Sequence, residues 1–402
     1  MIGKKEISFC FFESYPTNLP YAHILSDFID DYASRGYSVN VLTKNKPKQE
    51  KQQLFQRNKS NNIHYAFSLV TGLYKLDTYI LYPLFIFLKL LFAKKQGAVI
   101  VPSTPSVIMG LSVALAKFLR PSSFKLIYHC QDIHPEALIF ASILKNKILI
   151  NLLKSLDNFT LSQADKVIVL SKDMQKTLIA RKVMDKNKLK IVNNFVPSAY
   201  TENKSKQKKI KNIRHNIPSD GVVFVFAGNL GRFQNLDSVV QGFLQCKNNK
   251  VWLIFIGDGC AKQELIKKVA LSNKESNKNI VFINKMEGNR IASFIKDADF
   301  GLVSVSPSML DAAYPSKIPS YLSVGLPIFL VADKNSTLSH FIIKKQFGIV
   351  CSADSIHAIT TAFTQAVNQV FQYKQQKATR YRAYQDEFNQ RKLIQEFSEN
   401  IQ

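Results

Sequence analysis

Val222–Gly259 reads VVFVFAGNLGRFQNLDSVVQGFLQCKNNKVWLIFIGDG. Val222–Ala227 and Val251–Ile256 are unbroken apolar runs of strand length, and Asn235–Cys246 between them carries apolar residues at helical spacing. A strand, a glycine loop, a helix and a second strand predict a βαβ unit. Strands that are apolar throughout, rather than alternating, predict a parallel sheet covered on both faces.

The same rhythm extends in both directions. Downstream, helices are predicted at Ala261–Leu271, Arg290–Lys296 and Ser339–Lys345, and strands at Ile280–Ile283, Phe300–Val305, Ile328–Val331 and Gly348–Cys351. Helices Ile356–Phe371 and Lys374–Glu399 close the chain. Upstream, strands are predicted at Glu6–Phe12, Tyr37–Thr43, Ile63–Phe67, Ala98–Pro102, Lys125–His129, Lys166–Leu170 and Leu189–Val192. Helices at Tyr21–Ser34, Val107–Leu119, Lys147–Gln163 and Ser171–Arg181 fall between them. Lys44–Asn61, polar and rich in Lys and Gln, is expected as an exposed excursion, and Lys204–Lys211 as a linker. The predicted fold class is α/β, with two doubly wound, Rossmann-like domains over 1–200 and 201–372. Ligands in such sheets lie beyond the carboxyl ends of the strands, so a cleft faced by both domains is the expected site.

The chain of 402 residues is 46% hydrophobic, enough for two large cores, and carries a formal charge of +25. Either lysines on solvated faces or an anionic partner accounts for that charge. No zinc spacing or basic-aromatic ladder accompanies it, so nucleic acid is not expected as a partner. Five scattered cysteines suit free thiols in a reducing compartment. Met1–Lys5 is not followed by a signal-peptide core. Tyr79–Phe92 is the most apolar stretch, yet shorter than the ~20 residues of a spanning helix. It reads either as a buried amphipathic helix or as one that also dips into a membrane face, flanked by Lys89, Lys94 and Lys95.

Three loops of the second domain follow strand ends. In Gly228-Asn229-Leu230-Gly231-Arg232 the glycines permit close approach of a ligand, and Arg232 suits bidentate pairing with phosphate; an ordinary turn with a surface Arg is the alternative. Gly257-Asp258-Gly259 is a weaker signal of the same kind. The third loop precedes a helix opened by Pro315, Ser316 and Lys317, where free amides beside a lysine predict a seat for an anion. Together the loops point to a diphosphate-bearing ligand. The motifs of P-loop NTPases and of dinucleotide-dependent redox enzymes are absent. In the first domain, His129, Asp132, His134 and Glu136 follow a strand and offer acid/base or hydroxyl-binding groups. Glu136 reads equally as a first-turn acid favoured by the helix dipole. No metal-ligand spacing is evident, so no metal or cofactor is expected.

These residues resemble glycosyltransferases of the family 4 type with the GT-B fold, within them bacterial enzymes of O-antigen, capsule and related polysaccharides, including L-fucosamine transferases. The carriers are SRGYSVNVLT (34–43), QDIHPEAL (131–138), FAGNLGRFQNLD (226–237), IGDG (256–259), DADFGLVSV (297–305) and PSKIPSYLSVGLPIF (315–329). The resemblance implies a donor domain for a nucleoside diphosphate-sugar at the C-terminal side and an acceptor domain at the N-terminal side. A final helix over 373–402 is expected to pack back on the first domain. Gly228, Asn229 and Arg232 would line the diphosphate, with Gly257, Asp258 and Gly259 nearby. Lys317 and Ser316 would offset its charge, Asp311, Tyr314, Ser320, His129 and Glu136 would bind substrate, and Asp132 would serve the acceptor side. Asp132, Lys317 and Arg232 are the implied catalytic set. Relative to many members, Asn229 and Gln234 stand in place of an Arg and a Lys, and Ala312 and Ser320 at the places of an acid pair.

The expected function is thus retaining, metal-independent transfer of a sugar to a lipid-linked or oligosaccharide acceptor. The expected location is cytoplasmic, peripheral on the anionic inner face of the plasma membrane. The rival readings are a non-hydrolysing sugar-nucleotide 2-epimerase and a degenerate binding subunit of a polysaccharide-synthesis complex.

Overall fold

The computed structural model describes residues 6–401 except 18, 58–61, 95, 202–212, 273–278, 287 and 307. The predicted linker and the first five residues therefore lie outside the described residues. The chain divides into two compact units. One comprises Met1–Pro197, Asp311–Tyr314 and Gln390–Gln402; the other comprises Ser198–Leu310 and Pro315–Asn389.

The first unit is built on seven parallel strands: β1 (Glu6–Cys10), β2 (Ser38–Lys44), β3 (Ile63–Ser68), β4 (Ala98–Pro102), β5 (Lys125–Cys130), β6 (Lys166–Val169) and β7 (Leu189–Ile191). Their order is β3-β2-β1-β4-β5-β6-β7. The second unit has six: β8 (Val222–Ala227), β9 (Val251–Ile256), β10 (Ile280–Ile283), β11 (Phe300–Ser304), β12 (Ile328–Ala332) and β13 (Gly348–Ser352), in the order β10-β9-β8-β11-β12-β13. Each sheet is doubly wound, as expected. The strand order reverses between β1 and β4 in one and between β8 and β11 in the other, which opens a crevice at the carboxyl ends of those strands.

The apolar runs behave as their sequences require. Every residue of β8 is buried, paired in register with β9 from Val222 opposite Val251 to Ala227 opposite Ile256. Phe224 stacks on Phe300 with ring centroids 5.0 Å apart, and Phe329 stacks on Phe363 at 4.7 Å. Offset aromatic pairs of this kind add to area burial in holding the sheet to its covering helix.

Three expectations are corrected. Lys44–Asn61 is not wholly an irregular excursion: Lys48–Arg57 is helical, anchored by the buried Leu54. Phe55 also meets the Tyr65 ring at 6.1 Å, and the Lys51 ammonium lies 4.6 Å from the Phe67 ring centroid, which ties the helix to β3. The predicted helix Lys374–Glu399 is interrupted. The chain forms Ile356–Gln375, Lys377–Phe388 and Gln390–Ile401, with Asn389 extended. The last helix buries Leu393, Ile394, Phe397 and Ile401 with Phe28 and Phe195 in the first unit's core. The helix before it belongs to the second unit, so the chain has to turn at Asn389. Finally, Asp311–Tyr314 joins the first unit, although the sequence reading places the whole stretch around it in the second.

The apolar segment of the first unit is helical from Tyr74 to Leu91, with a π turn over Asp77–Leu81. Tyr82, Ile86 and Leu90 are buried. Ile80, Leu84, Leu88 and Phe92, four residues apart, are exposed, Phe92 by 80%. Helix Val107–Leu119 packs beside this one and helix Lys147–Gln163 beside that. They continue the exposed apolar surface through Leu115, Phe118, Leu119, Ile148 and Leu152. The acids of these helices, Asp77 and Asp157, are buried, whereas Lys75, Lys89, Lys147 and Lys154 are exposed. Among the described residues no helix is long and apolar enough to cross a membrane.

Candidate functional site

At the carboxyl end of β8 the chain turns at Gly228, and at that of β9 at Gly257. Gly228 has φ +140° and Gly257 φ +146°. A Cβ on Gly257 would stand 1.9 Å from the carbonyl oxygen of Gly228, so only glycine lets the two loops touch. The loops are then tied: Gly228 N donates to Ile256 O at 2.8 Å, Leu230 N to Asp258 O at 2.8 Å, and Ser306 N, after β11, to Phe233 O at 2.9 Å. This gathers the three loop regions at the β8/β11 crevice.

Lys317 enters the cluster from the first residue of helix Lys317–Ser323. Tyr321 anchors that helix, its hydroxyl accepting from Ala227 N at 2.8 Å. The Lys317 side chain lies against Gly228, where a Cβ would stand 2.9 Å from its Cε. Its ammonium donates to Gln234 Oε1 at 3.3 Å and sits 4.6 Å from the centroid of the Phe226 ring. No carboxylate pairs with it among the described residues. Burial pushes its pKa down to about 8. A desolvated cation over a glycine turn, with one neutral acceptor, is suited to an incoming anion. The helix it opens is short, so Lys317 itself supplies more of the charge than the expected helix end does.

The other predicted donor residues surround this point unequally. Arg232 is exposed and its backbone carbonyl accepts from Ser306 Oγ at 3.4 Å. Asn229 is exposed and packs its amide against Gly231 and Gly259. Asp258 pairs with Lys262 at 3.4 Å, and Ser320 Oγ donates to Ser316 O at 3.3 Å. Gln234 and Phe226 were not singled out for contact with Lys317. Gln234, noted only as a departure, is the group that holds the ammonium.

Asp311 and Tyr314 group with the first unit, whereas Lys317 belongs to the second. Asp311 O accepts from Thr177 Oγ1 at 2.7 Å, Ala312 is fully buried in the core, and Tyr314 packs against that core. Ala312 O accepts from Ile133 N at 2.7 Å, and Asp132 bridges Ala313 antiparallel. A small residue is required at 312 for that burial, which accounts for alanine at a place where an acid was looked for.

The loop after β5 sorts its four titratable groups. His129 is buried, with Nδ1 3.0 Å from Tyr21 Oη and Nε2 2.9 Å from Gln131 Nε2. Burial holds its pKa down at about 3, so it is a neutral core residue and not the expected acid or base. Glu136 is engaged within the scaffold. It forms an ion pair with Arg181, whose buried guanidinium also pairs with Asp157 and donates to His134 O at 2.6 Å. Asp157 in turn accepts from Tyr128 Oη at 2.7 Å. That leaves Asp132 and His134. Burial raises the Asp132 pKa, opposed by His134, and burial lowers that of His134. Both ring nitrogens of His134 are buried without a partner among the described residues. Ser103 Oγ fixes the loop, donating to Asp132 O at 2.7 Å. Arg181 and Asp157 escaped sequence reasoning; an acid within an otherwise apolar helix was the available signal. Among the described residues no three of His, Cys, Asp and Glu gather as a metal site.

Family models match both halves of the chain. The model described as "Glycosyltransferase Family 4" matches residues 24–200, and "Glycosyl transferases group 1" matches 207–386. The chain belongs to the family 4 type of GT-B glycosyltransferases. It is 26% identical over 272 residues to the probable glycosyltransferase WbjE of Pseudomonas aeruginosa, covering 65% of this chain and 64% of that protein. It is 20% identical over 250 residues to the putative colanic acid biosynthesis glycosyl transferase WcaI of Escherichia coli, covering 61% of each. The match thus spans less than two thirds of the length of these curated relatives. In fold, it is similar to HepE of Anabaena, solved in complex with UDP, with TM-score 0.68, 14% identity and 99% of each chain covered.

Proposed function

We propose that this family member transfers a sugar from a nucleoside diphosphate-sugar to a lipid-linked glycan during synthesis of a cell-envelope polysaccharide of the O-antigen or capsule kind. The observation that carries the reading is Lys317, an ammonium without a carboxylate, laid over the Gly228 turn at the β8/β11 crevice. As the glycosidic bond of the donor breaks, negative charge grows on the leaving diphosphate. A preorganised, partly desolvated cation stabilises that charge more than the ground state. Arg232, exposed two residues before the Gln234 that accepts from Lys317, is the second candidate cation. Asp132, whose carboxyl is raised by burial, is the candidate group on the acceptor side. No protein nucleophile was recognised, so retention would proceed by displacement on one face without a metal.

The test is a thermal-shift and titration panel of UDP, GDP, ADP and their sugars. UDP is the first choice because HepE was solved with it. Saturable binding of at least one nucleoside diphosphate is expected. Failure of the whole panel would remove the reading in favour of a binding subunit. An epimerised sugar formed from donor alone would favour the 2-epimerase.

We infer further that the first unit rests on the anionic inner leaflet. The support is the exposed apolar surface of helices Tyr82–Leu91, Val107–Leu119 and Lys147–Gln163 with its exposed lysines. Binding to vesicles rich in phosphatidylglycerol is expected to fall severalfold with Leu84→Ser and Phe92→Ser together, and to weaken with salt. Unchanged binding of that variant would reject the assignment.

A further inference from the structure

The second unit carries an unassigned concentration of positive charge on the edge of its sheet opposite the Lys317 cluster. A cavity of about 300 Å³ lies at the amino-terminal ends of β8, β11 and β12, lined by Lys296, Lys377 and Arg380 among others. Arg380 is only 4% exposed. Its Nε and Nη2 donate to Gly325 O at 3.2 and 2.9 Å, and Nη2 also to Tyr373 O at 2.9 Å. Its Nη1 is buried with no acceptor among the described residues. No carboxylate reaches the guanidinium, and burial lowers its pKa to about 10.

A buried guanidinium satisfied only by carbonyls, with one nitrogen left over, is an expensive arrangement unless an anion completes it. The acids nearby do not. Asp299 is already held by Arg214, by Lys374 at 2.9 Å and by the amide of Val223 at 2.7 Å. Asp297 is half-buried and pairs with no cation among the described residues. Lys296 and Lys377 are exposed at the cavity and likewise without a carboxylate; the Lys377 stem packs on Gly325. Two ammonium groups and the remaining guanidinium nitrogen, Nη1 of Arg380, around a small cavity match the oxygens of a phosphate group.

We propose that this cavity is a second anion site that takes a phosphate or phosphomonoester, separate from the donor seat. The same chemistry is offered by a soluble phosphorylated metabolite and by a phosphatidate headgroup. The proposal does not depend on the donor reading, and the controls keep the two apart. Inorganic phosphate and glycerol 3-phosphate are titrated at constant ionic strength, with chloride as balance, into the wild type and into Lys317→Ala. Lys296→Ala with Lys377→Ala removes two exposed side chains and is expected to leave the unfolding temperature without phosphate unchanged. Arg380→Gln is the more invasive variant.

One-to-one phosphate binding is expected in the wild type and in Lys317→Ala. It should weaken at least tenfold in the double lysine variant and disappear in Arg380→Gln. Tighter binding of glycerol 3-phosphate than of phosphate supports a soluble metabolite. Binding of phosphatidate vesicles that glycerol 3-phosphate displaces, and that the double variant loses, supports a headgroup. Phosphate affinity equal in the wild type and the double variant overturns the proposal. So does the absence of saturable binding of phosphate, glycerol 3-phosphate and phosphatidate to the wild type.

Discussion

Arg181 and Lys317 are both cations at the carboxyl edge of a parallel sheet, but they are treated oppositely. Arg181 is saturated: Glu136, Asp157 and the carbonyl of His134 use its donors. Lys317 has a single neutral acceptor, Gln234. A saturated buried ion network adds rigidity and specifies one loop geometry, here that of Asp132 and His134. A desolvated cation held without a counter-charge carries a cost that only a ligand offsets. The contrast distinguishes scaffold from site better than residue type does.

The sharpest way to break the comparison is Arg181→Ala. It leaves the buried Asp157 without its cation, and Glu136 with only Lys154 at 3.9 Å, and should cost about 3–5 kcal/mol in chemical denaturation. A loss under about 1 kcal/mol would show that the network is not saturated as described. Lys317→Ala should do the reverse. Stability should hold, because a buried ammonium is removed, while UDP affinity falls about ten- to a hundredfold by calorimetry. Unchanged affinity would remove Lys317 from the site.

A smaller effect sharpens the same point. The free Lys317 ammonium titrates near pH 8, below its ordinary value. A diphosphate binds the protonated form, so affinity should be level below about pH 8. It should decline above that by up to about tenfold per unit, a dependence absent in Lys317→Ala. A rise in affinity above pH 8 would contradict the assignment.

Much of this was legible beforehand. The strands of both sheets fall within a residue or two of their predicted places, because a fully buried parallel strand requires an unbroken apolar run such as VVFVFA. Lys317 stands out in the sequence as a lysine where a helix dipole disfavours one, and the structure shows it desolvated over the Gly228 turn. Glu136 and His129 were misjudged for one reason. Their places at and just beyond a strand end marked them as available, and nothing local announces Arg181, 45 residues after Glu136, or Tyr21, 108 residues before His129. Asp311 and Tyr314 are neighbours in sequence of the donor-side helix, yet they group with the first unit, where Asp311 O accepts from Thr177 Oγ1 and Tyr314 packs against the core.

The sequence by itself determined the two doubly wound sheets, the family and the glycine turns, since periodicity and φ > 0 are local requirements. Only the tertiary structure decided which charges are spent and which are free. Pairing depends on side chains far apart in the chain, and burial, which sets the value of each pair, is a property of the packed whole.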